Sequence, residues 1–184
     1  MLLKAAALKA VALSAIAATA LAAVLPERTV IVTQPGSPIQ ITKYQAHYNE
    51  GNRFVARGIA HMVSYTNTSP KKVVAFRVGI VSFNVFDEFL GRMGGYATED
   101  LVPNKGAPGT WTQNVYAGSS FHTGIMYVDK VRFEDGTMWV SDKAPVLEAI
   151  RQLQKDFDSK LLEERLNREV PGGEAAGGAA AAGD

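Results

Sequence analysis

Histidine, the side chain most often used for proton transfer and for binding metals, occurs three times, as His47, His61 and His122. A metal site needs about three converging ligands, and neither the H-x-H nor the HExxH spacing occurs. Soft copper ligands could be imagined beside His61, but isolated methionines more often fill gaps in a core. The methionines concerned are Met62, Met93, Met126 and Met138. We therefore predict no metal site, no catalytic residue and no cofactor.

Hydroxyl and carboxyl groups occur in two further arrangements. The segment Gly118-Ser119-Ser120-Phe121-His122 places hydroxyls near an imidazole, but it lacks the G-x-S-x-G spacing of a nucleophile elbow. Adjacent carboxylates occur at three turn-like places, and neighbours on a strand point to opposite faces, so they do not converge on one substrate. The pairs are Asp87-Glu88, Glu99-Asp100 and Glu134-Asp135. Neither a serine hydrolase nor a glycosidase is predicted.

Four aromatic residues define a candidate ligand or partner surface. They follow or lie within a long connection, Gly91 to Thr110, which is rich in glycine and proline. Connections longer than about 12 residues in a compact domain are usually functional or disordered. The residues are Tyr96, Trp111, Tyr116 and Phe121. An alternative stays open, in which Trp111 and Phe121 are strand residues of the core.

The two ends of the chain are not typical of a folded domain. Residues 1–23 carry Lys4 and Lys9, an apolar run and the A-x-A spacing Ala20-Leu21-Ala22, which predicts a cleaved signal peptide and a periplasmic or secreted protein. An uncleaved anchor or an ordinary helix are the alternatives. Residues 170–184, rich in Ala and Gly, are predicted to be disordered.

Charge and cysteine content limit the partners. Cleavage after Ala22 leaves 17 basic and 18 acidic residues, so the mature chain lacks the field that a nucleic-acid backbone requires. The absence of cysteine excludes disulfides, thiolate zinc sites and a lipidated cysteine. We expect no nucleic-acid partner and no membrane span after cleavage.

The segment between the two ends is predicted to be mainly β, an immunoglobulin-like antiparallel β-sandwich over residues 28–142 with a long C-terminal α-helix over residues 143–169. Short strands with turn signals and no intervening helix favour a sandwich. The stretch from Lys71 to Phe86 is apolar at both parities, which indicates a central strand buried on both faces, with a β-bulge beside Gly79. The helix is expected to cover the outer side of that strand.

The predicted hairpin at Asp129–Ser141 has a two-residue turn, Asp135-Gly136. That turn would pair Phe133 with Met138 and Val131 with Val140, and place Arg132 over the indole of Trp139. In the following helix, apolar residues recur at three- and four-residue steps, and Asp142 is a suitable N-cap. Its second half is expected to protrude and to offer Leu161, Leu162 and Leu166 to a second copy.

A resemblance to small exported domains rests on two segments. Tyr65-Thr66-Asn67-Thr68-Ser69, with Val73-Val74-Ala75-Phe76 and Phe83-Asn84-Val85-Phe86-Asp87 before Leu90-Gly91, is similar to the FxLYD and telokin-like immunoglobulin-like families. The Val131–Trp139 hairpin resembles the closing hairpin of such domains. The resemblance implies an immunoglobulin-like fold and an envelope location, and it transfers no catalytic residue.

Two functions of different class follow from these observations. The favoured one is an exported, non-catalytic envelope module that binds a protein or surface component through a sheet edge, the long connection or the helix. The alternative is a small periplasmic hydrolase or metal-binding protein whose active residues the sequence does not group.

Overall fold

Alternating and β-branched apolar residues form strands through most of the described part of the chain, and two short helices follow them. The computed structural model describes residues 27–54, 57–114 and 120–163, so the predicted signal peptide (1–23) and the predicted tail (170–184) lie outside the described residues. Within the described part, the elements are β1 Arg28–Val32, β2 Ile39–Asn49, β3 Gly58–Asn67, β4 Val73–Asn84, β5 Phe89–Ala97, β6 Gly106–Gln113, β7 Phe121–Phe133, β8 Met138–Val140, α1 Ala144–Arg151 and α2 Lys160–Glu163.

The strands form two sheets that pack face to face. In the large sheet the order is β1-β7-β4-β5, with β8 also paired to β7, and in the small sheet it is β2-β3-β6. The mainly β, two-sheet architecture is therefore confirmed. Most pairs are antiparallel, but β1 runs parallel to β7, with Arg28 opposite Thr123 and Val32 opposite Tyr127. The predicted antiparallel arrangement is thus confirmed for most strand pairs, and the β1–β7 pair is an exception.

Strand β4 lies at the centre of the large sheet and is buried on both faces, as its sequence predicts. Phe76, Val78 and Ile80 face the small sheet, whereas Val81 and Phe83 pack on the outer face. These two sets are the ordinary alternation of one strand, so no switch of faces occurs at Gly79. The irregularity predicted there is instead a register shift between Arg77 and Val78 on the side of β7.

The connection predicted from Gly91 to Thr110 is much shorter in the structure, because β5 and β6 take most of it and leave residues 98–105 as the link. Its glycines are strand residues. A Cβ on Gly95 would collide with the ring of Trp111 from the small sheet. Glycine at this position makes room for a large ring between the sheets.

The prediction of a long C-terminal helix is wrong. Helix α1 has eight residues, and the chain then bends before the single turn of α2. The bend returns Phe157 and Leu162 to the outer face of the large sheet, where they are 4% and 3% exposed. A continuous helix would carry both residues away from the domain, so their burial overrides the helical periodicity.

As a consequence, Leu161 and Leu162 pack on the sheet and do not protrude toward a second copy, and Leu166 lies outside the described residues. The prediction that Asp142 caps α1 is wrong, because the N-cap is Lys143 and no side chain caps the helix. The Asp142 carboxylate instead accepts a hydrogen bond from the Ala144 N–H at 2.9 Å in the turn that leads into α1. No helix in the described ranges is long and apolar enough to cross a membrane.

The β7–β8 hairpin forms with a register one residue away from the prediction. Its loop has three residues, since the Gly136 N–H donates to the Phe133 carbonyl and the Phe133 N–H donates to the Thr137 carbonyl. Gly136 has a φ of 81°, which suits a type I turn followed by a glycine bulge.

The observed register pairs Arg132 with Met138 and Val131 with Trp139. Trp139 therefore lies on the core side, and the predicted stacking of Arg132 on its indole is wrong. One extra residue in the loop moves each side chain of the short strand to the opposite face.

Candidate functional site

Three of the four predicted aromatic residues are described, and their side chains do not converge on one site. Tyr96 lies on the outer face of β5 and is 50% exposed. Trp111 lies on β6, packs against the core and donates from Nε1 to the Tyr96 carbonyl at 3.1 Å. Phe121 is buried with its ring edge-on to His61, and Tyr116 lies outside the described residues. The described three do not share one surface.

The residues considered for catalysis or metal binding are also dispersed. His61 is buried, whereas His47 on the neighbouring strand is exposed, and His122 lies at the start of β7. No group of three His, Asp or Glu residues in the described ranges is arranged to hold a metal ion. Of the predicted serines, Ser119 lies outside the described residues.

The predicted carboxylate pairs are engaged in ion pairs and hydrogen bonds with other side chains. Asp87 pairs with Arg28, and Asn84 donates to Glu88. Tyr65 donates to Glu99. The remaining carboxylates pair with two lysines: Asp100 and Glu134 with Lys72, and Asp135 with Lys71.

A chain of four polar side chains crosses the core between the sheets. Ser82 donates to Gln113 Oε1 at 2.6 Å, so this oxygen accepts, and His61 Nε2 at 3.4 Å must be a donor to it. His61 Nδ1 then accepts the hydroxyl proton of Tyr44 at 2.9 Å. Each hydrogen-bonding direction is consistent with a neutral imidazole.

Burial keeps this network uncharged. His61 is 0% exposed, and burial lowers its pKa to about 4, although the hydrogen bond to Gln113 opposes the shift. Burial also raises the pKa of Tyr44 far above its usual range. The network satisfies polar groups in the core, and such networks fix one arrangement of the surrounding side chains.

A second polar centre lies on the outer face of β7, at the register shift. The carboxylate of Asp129 is buried, and Arg77 and Lys143 both form ion pairs with it. Burial raises the pKa of Asp129, but the two cations outweigh it and hold that pKa below its usual range. Ser141 accepts a hydrogen bond from Lys143 at 2.7 Å. These contacts anchor the start of α1 to the sheet.

The sequence predicts this centre through two charged residues in apolar strands and not through a motif. Asp129 follows the apolar run Ile125-Met126-Tyr127-Val128, and Arg77 interrupts the apolar residues of β4. A charge within a buried strand needs a partner of opposite sign, because burying it alone is costly. One negative and one positive residue in two apolar strands therefore predict a buried ion pair.

An apolar groove lies beside β8, between two turns of the chain. Its cavity has a volume of about 410 Å³, within the range typical of ligand pockets. Trp139 and Phe133 supply aromatic surface, and Lys71 Nζ lies 5.4 Å from the centre of the Phe133 ring. We call this the β8 groove; its lining residues are Gly36, Ser37, Pro38, Thr68, Ser69, Pro70, Lys71, Phe133 and Trp139.

The outer edge of β8 borders the groove and has no neighbouring strand among the described residues. The Ser141 N–H donates to the Asp129 carbonyl, and the Phe133 N–H donates to the Thr137 carbonyl. In an antiparallel ladder, hydrogen-bonded residues alternate, so Trp139 bonds to β7 between these two positions. The backbone N–H and C=O groups of Met138 and Val140 therefore point away from β7.

The fold and this site define the protein as a two-sheet β-sandwich with an open sheet edge beside an apolar groove. No protein-family model matches the chain, and no curated protein matches it. Among solved structures it is similar to a hypothetical protein from Peptoclostridium difficile 630, with 10% identity and a TM-score of 0.48. That match covers 71% of this chain and 99% of the other, and it supports no assignment of fold or function.

Proposed function

We propose that this protein is an exported, non-catalytic module of the cell envelope that binds an extended segment of a partner protein. The observation that carries the proposal is the outward-facing backbone of Met138 and Val140 beside the β8 groove. An added strand would bond to these backbone groups, and its alternate side chains would enter the groove. Main-chain bonds would supply affinity and the groove would supply selectivity.

The side chains around this edge support a binding role. Met138 and Val140 are 61% and 60% exposed, although both are apolar. Trp139 and Phe133 have only partly buried rings in the groove. Aromatic residues in a partly solvated cavity are typical anchors for a partner segment. The immunoglobulin-like class and the resemblance to FxLYD and telokin-like families stay part of the proposal, supported by the two packed sheets.

Binding at the edge is tested with short peptides in which valine alternates with serine, glutamate or lysine. The chain has two tryptophans, so a Trp111→Phe background leaves Trp139 as the reporter of the groove. We expect at least one peptide to change Trp139 fluorescence saturably. Val140→Pro removes an N–H that points outward and keeps the ladder with β7, and it should weaken binding about tenfold.

Val140→Thr is the matched control, because it changes the same side chain but keeps the N–H. It should bind the peptides as the parent does. The proposal fails if no peptide alters Trp139 fluorescence or releases heat, or if the proline and threonine variants bind equally well. Circular dichroism of both variants checks that the sandwich is intact.

Export is tested separately by fractionating cells that produce the full chain. We expect the protein in the periplasm or medium with Ala23 as its first residue, because cleavage after Ala22 matches the A-x-A spacing. Recovery in the cytoplasm with residues 1–22 still attached would contradict this part of the proposal.

A further inference from the structure

The described residues cover the outer face of the large sheet at one end only. The C-terminal segment, residues 144–163, packs on this face through Val146 and Phe157. It covers the end of the sheet that contains Val81, Phe83 and Ile125. Toward the opposite end the described residues leave the face open. We call that part the open face, and define it by Arg77, Tyr96, Lys130, Arg132, Met138 and Val140.

Strand pairing places these six side chains on one surface. Val131 is buried on the core side, so its neighbours Lys130 and Arg132 point outward. Val140 pairs with Lys130 and Met138 pairs with Arg132, and paired residues point to the same face. Arg77 pairs with Lys130 on one side and with Tyr96 on the other, which completes the surface.

The open face is cationic in a chain whose formal net charge is only +1. Arg77, Lys130 and Arg132 lie on it, and Lys143 lies at its border beside Asp129. The carboxylate of Asp129 is buried and already pairs with Arg77 and Lys143. Among the described residues, no ion pair involves Lys130 or Arg132. In the part of the chain that the structure describes, the charges of Lys130 and Arg132 therefore have no matching acid on this face.

The nearest acidic residues do not neutralise these two cations. Glu134 and Asp135 belong to the adjoining hairpin loop, where they pair with Lys72 and Lys71 respectively. The exposed apolar side chains of Met138 and Val140 lie between the free edge and the cations. A ligand bound at the edge would thus contact apolar surface first and positive charge next to it.

We propose that the open face and the β8 groove together select a partner segment in which acidic and apolar residues alternate. The inference rests on the proposed function. A strand added to β8 would lie about 5 Å from β8 and about 10 Å from β7. Its apolar residues would enter the groove beside Trp139, and its acidic residues would lie over the open face, within reach of the long side chains of Lys130 and Arg132.

The test uses the three peptides and the Trp139 reporter. The glutamate–valine peptide should bind about tenfold or more tightly than the serine–valine peptide, and the lysine–valine peptide should bind most weakly. Raising the salt concentration should reduce the advantage of the glutamate peptide, because the contacts are partly solvated. Equal affinity for all three peptides, still lost in Val140→Pro, would overturn this inference and leave the proposed function standing.

Charge reversal provides the decisive variant. In Lys130→Glu with Arg132→Glu, the preference should move from the glutamate peptide to the lysine peptide. Lys43→Glu is the matched control, since Lys43 is exposed on β2 of the small sheet, and it should keep the parent preference. If the double reversal misfolds, Lys130→Gln with Arg132→Gln should remove the preference without reversing it.

An anionic membrane is the competing partner for a cationic face. Co-sedimentation with phosphatidylglycerol vesicles that is lost on Lys130 and Arg132 reversal, with no preference among the peptides, would overturn the inference. An unchanged peptide preference in the reversed variant would overturn it as well.

Discussion

The buried side chain of His61 should make the free energy of unfolding depend on pH. In the folded chain burial lowers its pKa to about 4, whereas the unfolded chain has the ordinary value of 6.5. Between these values the unfolded state binds a proton that the folded state does not bind. The free energy of unfolding should therefore be unaffected by this group above pH 6.5 and decrease as the pH falls toward 4.

The expected decrease is up to about 3 kcal/mol, measured by urea unfolding across that pH range. His61→Gln should flatten this dependence, whatever its effect at neutral pH. His47→Gln, which changes an exposed histidine on the neighbouring strand, should keep it. A wild-type stability that does not change from pH 6.5 to 4.5 would show that the imidazole of His61 is not held neutral.

At the scale of secondary-structure elements, the segment after α1 acts as a cover for the large sheet. The ring of Phe157 lies 5.5 Å from that of Phe89 and 6.3 Å from that of Phe83. Phe157→Ala should lower the free energy of unfolding by about 3–5 kcal/mol, because it removes a buried aromatic ring from a packed cluster.

Phe86→Ala is the matched control for that change, since Phe86 is 77% exposed. Urea unfolding should show a loss of less than about 0.5 kcal/mol for this variant. Similar losses for the two phenylalanines would mean that the C-terminal segment does not stabilise the sheet.

The elements also show what the sequence could and could not predict. Strand β4 was predictable because its residues are apolar at both parities, as a strand buried on both faces requires, and turn signals bound the run. The hairpin was predictable, but its register was not, because a two-residue and a three-residue loop both suit Asp135-Gly136. The burial of Trp139 decides between them, and that burial depends on strands distant in sequence.

The end of the helix and the location of the candidate site could not be predicted, because both depend on contacts between residues distant in sequence. The apolar spacing of Val146, Ile150 and Phe157 fits one long helix as well as a helix followed by a bend. Similarly, Lys130, Arg132 and Val140 can be assigned to one surface only when strand partners are known. Asp129 was the exception, since a charge in an apolar strand is visible in the sequence alone.

At the scale of the whole molecule, β7 contributes side chains both to the core between the sheets and to the cluster on the outer face of the large sheet. Its core side includes Met126, Val128 and Val131, and its other side includes Ile125 and Tyr127. Loss of contacts on either face therefore affects the same strand, so we expect the Phe157→Ala variant to unfold in one transition. The free edge of β8 belongs to a strand that pairs with β7, so the proposed binding surface adjoins the strand that both clusters share.

The pairing of β1 with β7 has a consequence for how the protein is made. The side chains of Arg28 and Thr123 that meet at this edge are 95 positions apart in the chain. As the polypeptide emerges from the ribosome, β1 has no partner strand among the described residues until Thr123 has followed, and such distant pairing slows folding. The order of synthesis thus delays closure of the sandwich until most of the chain has emerged.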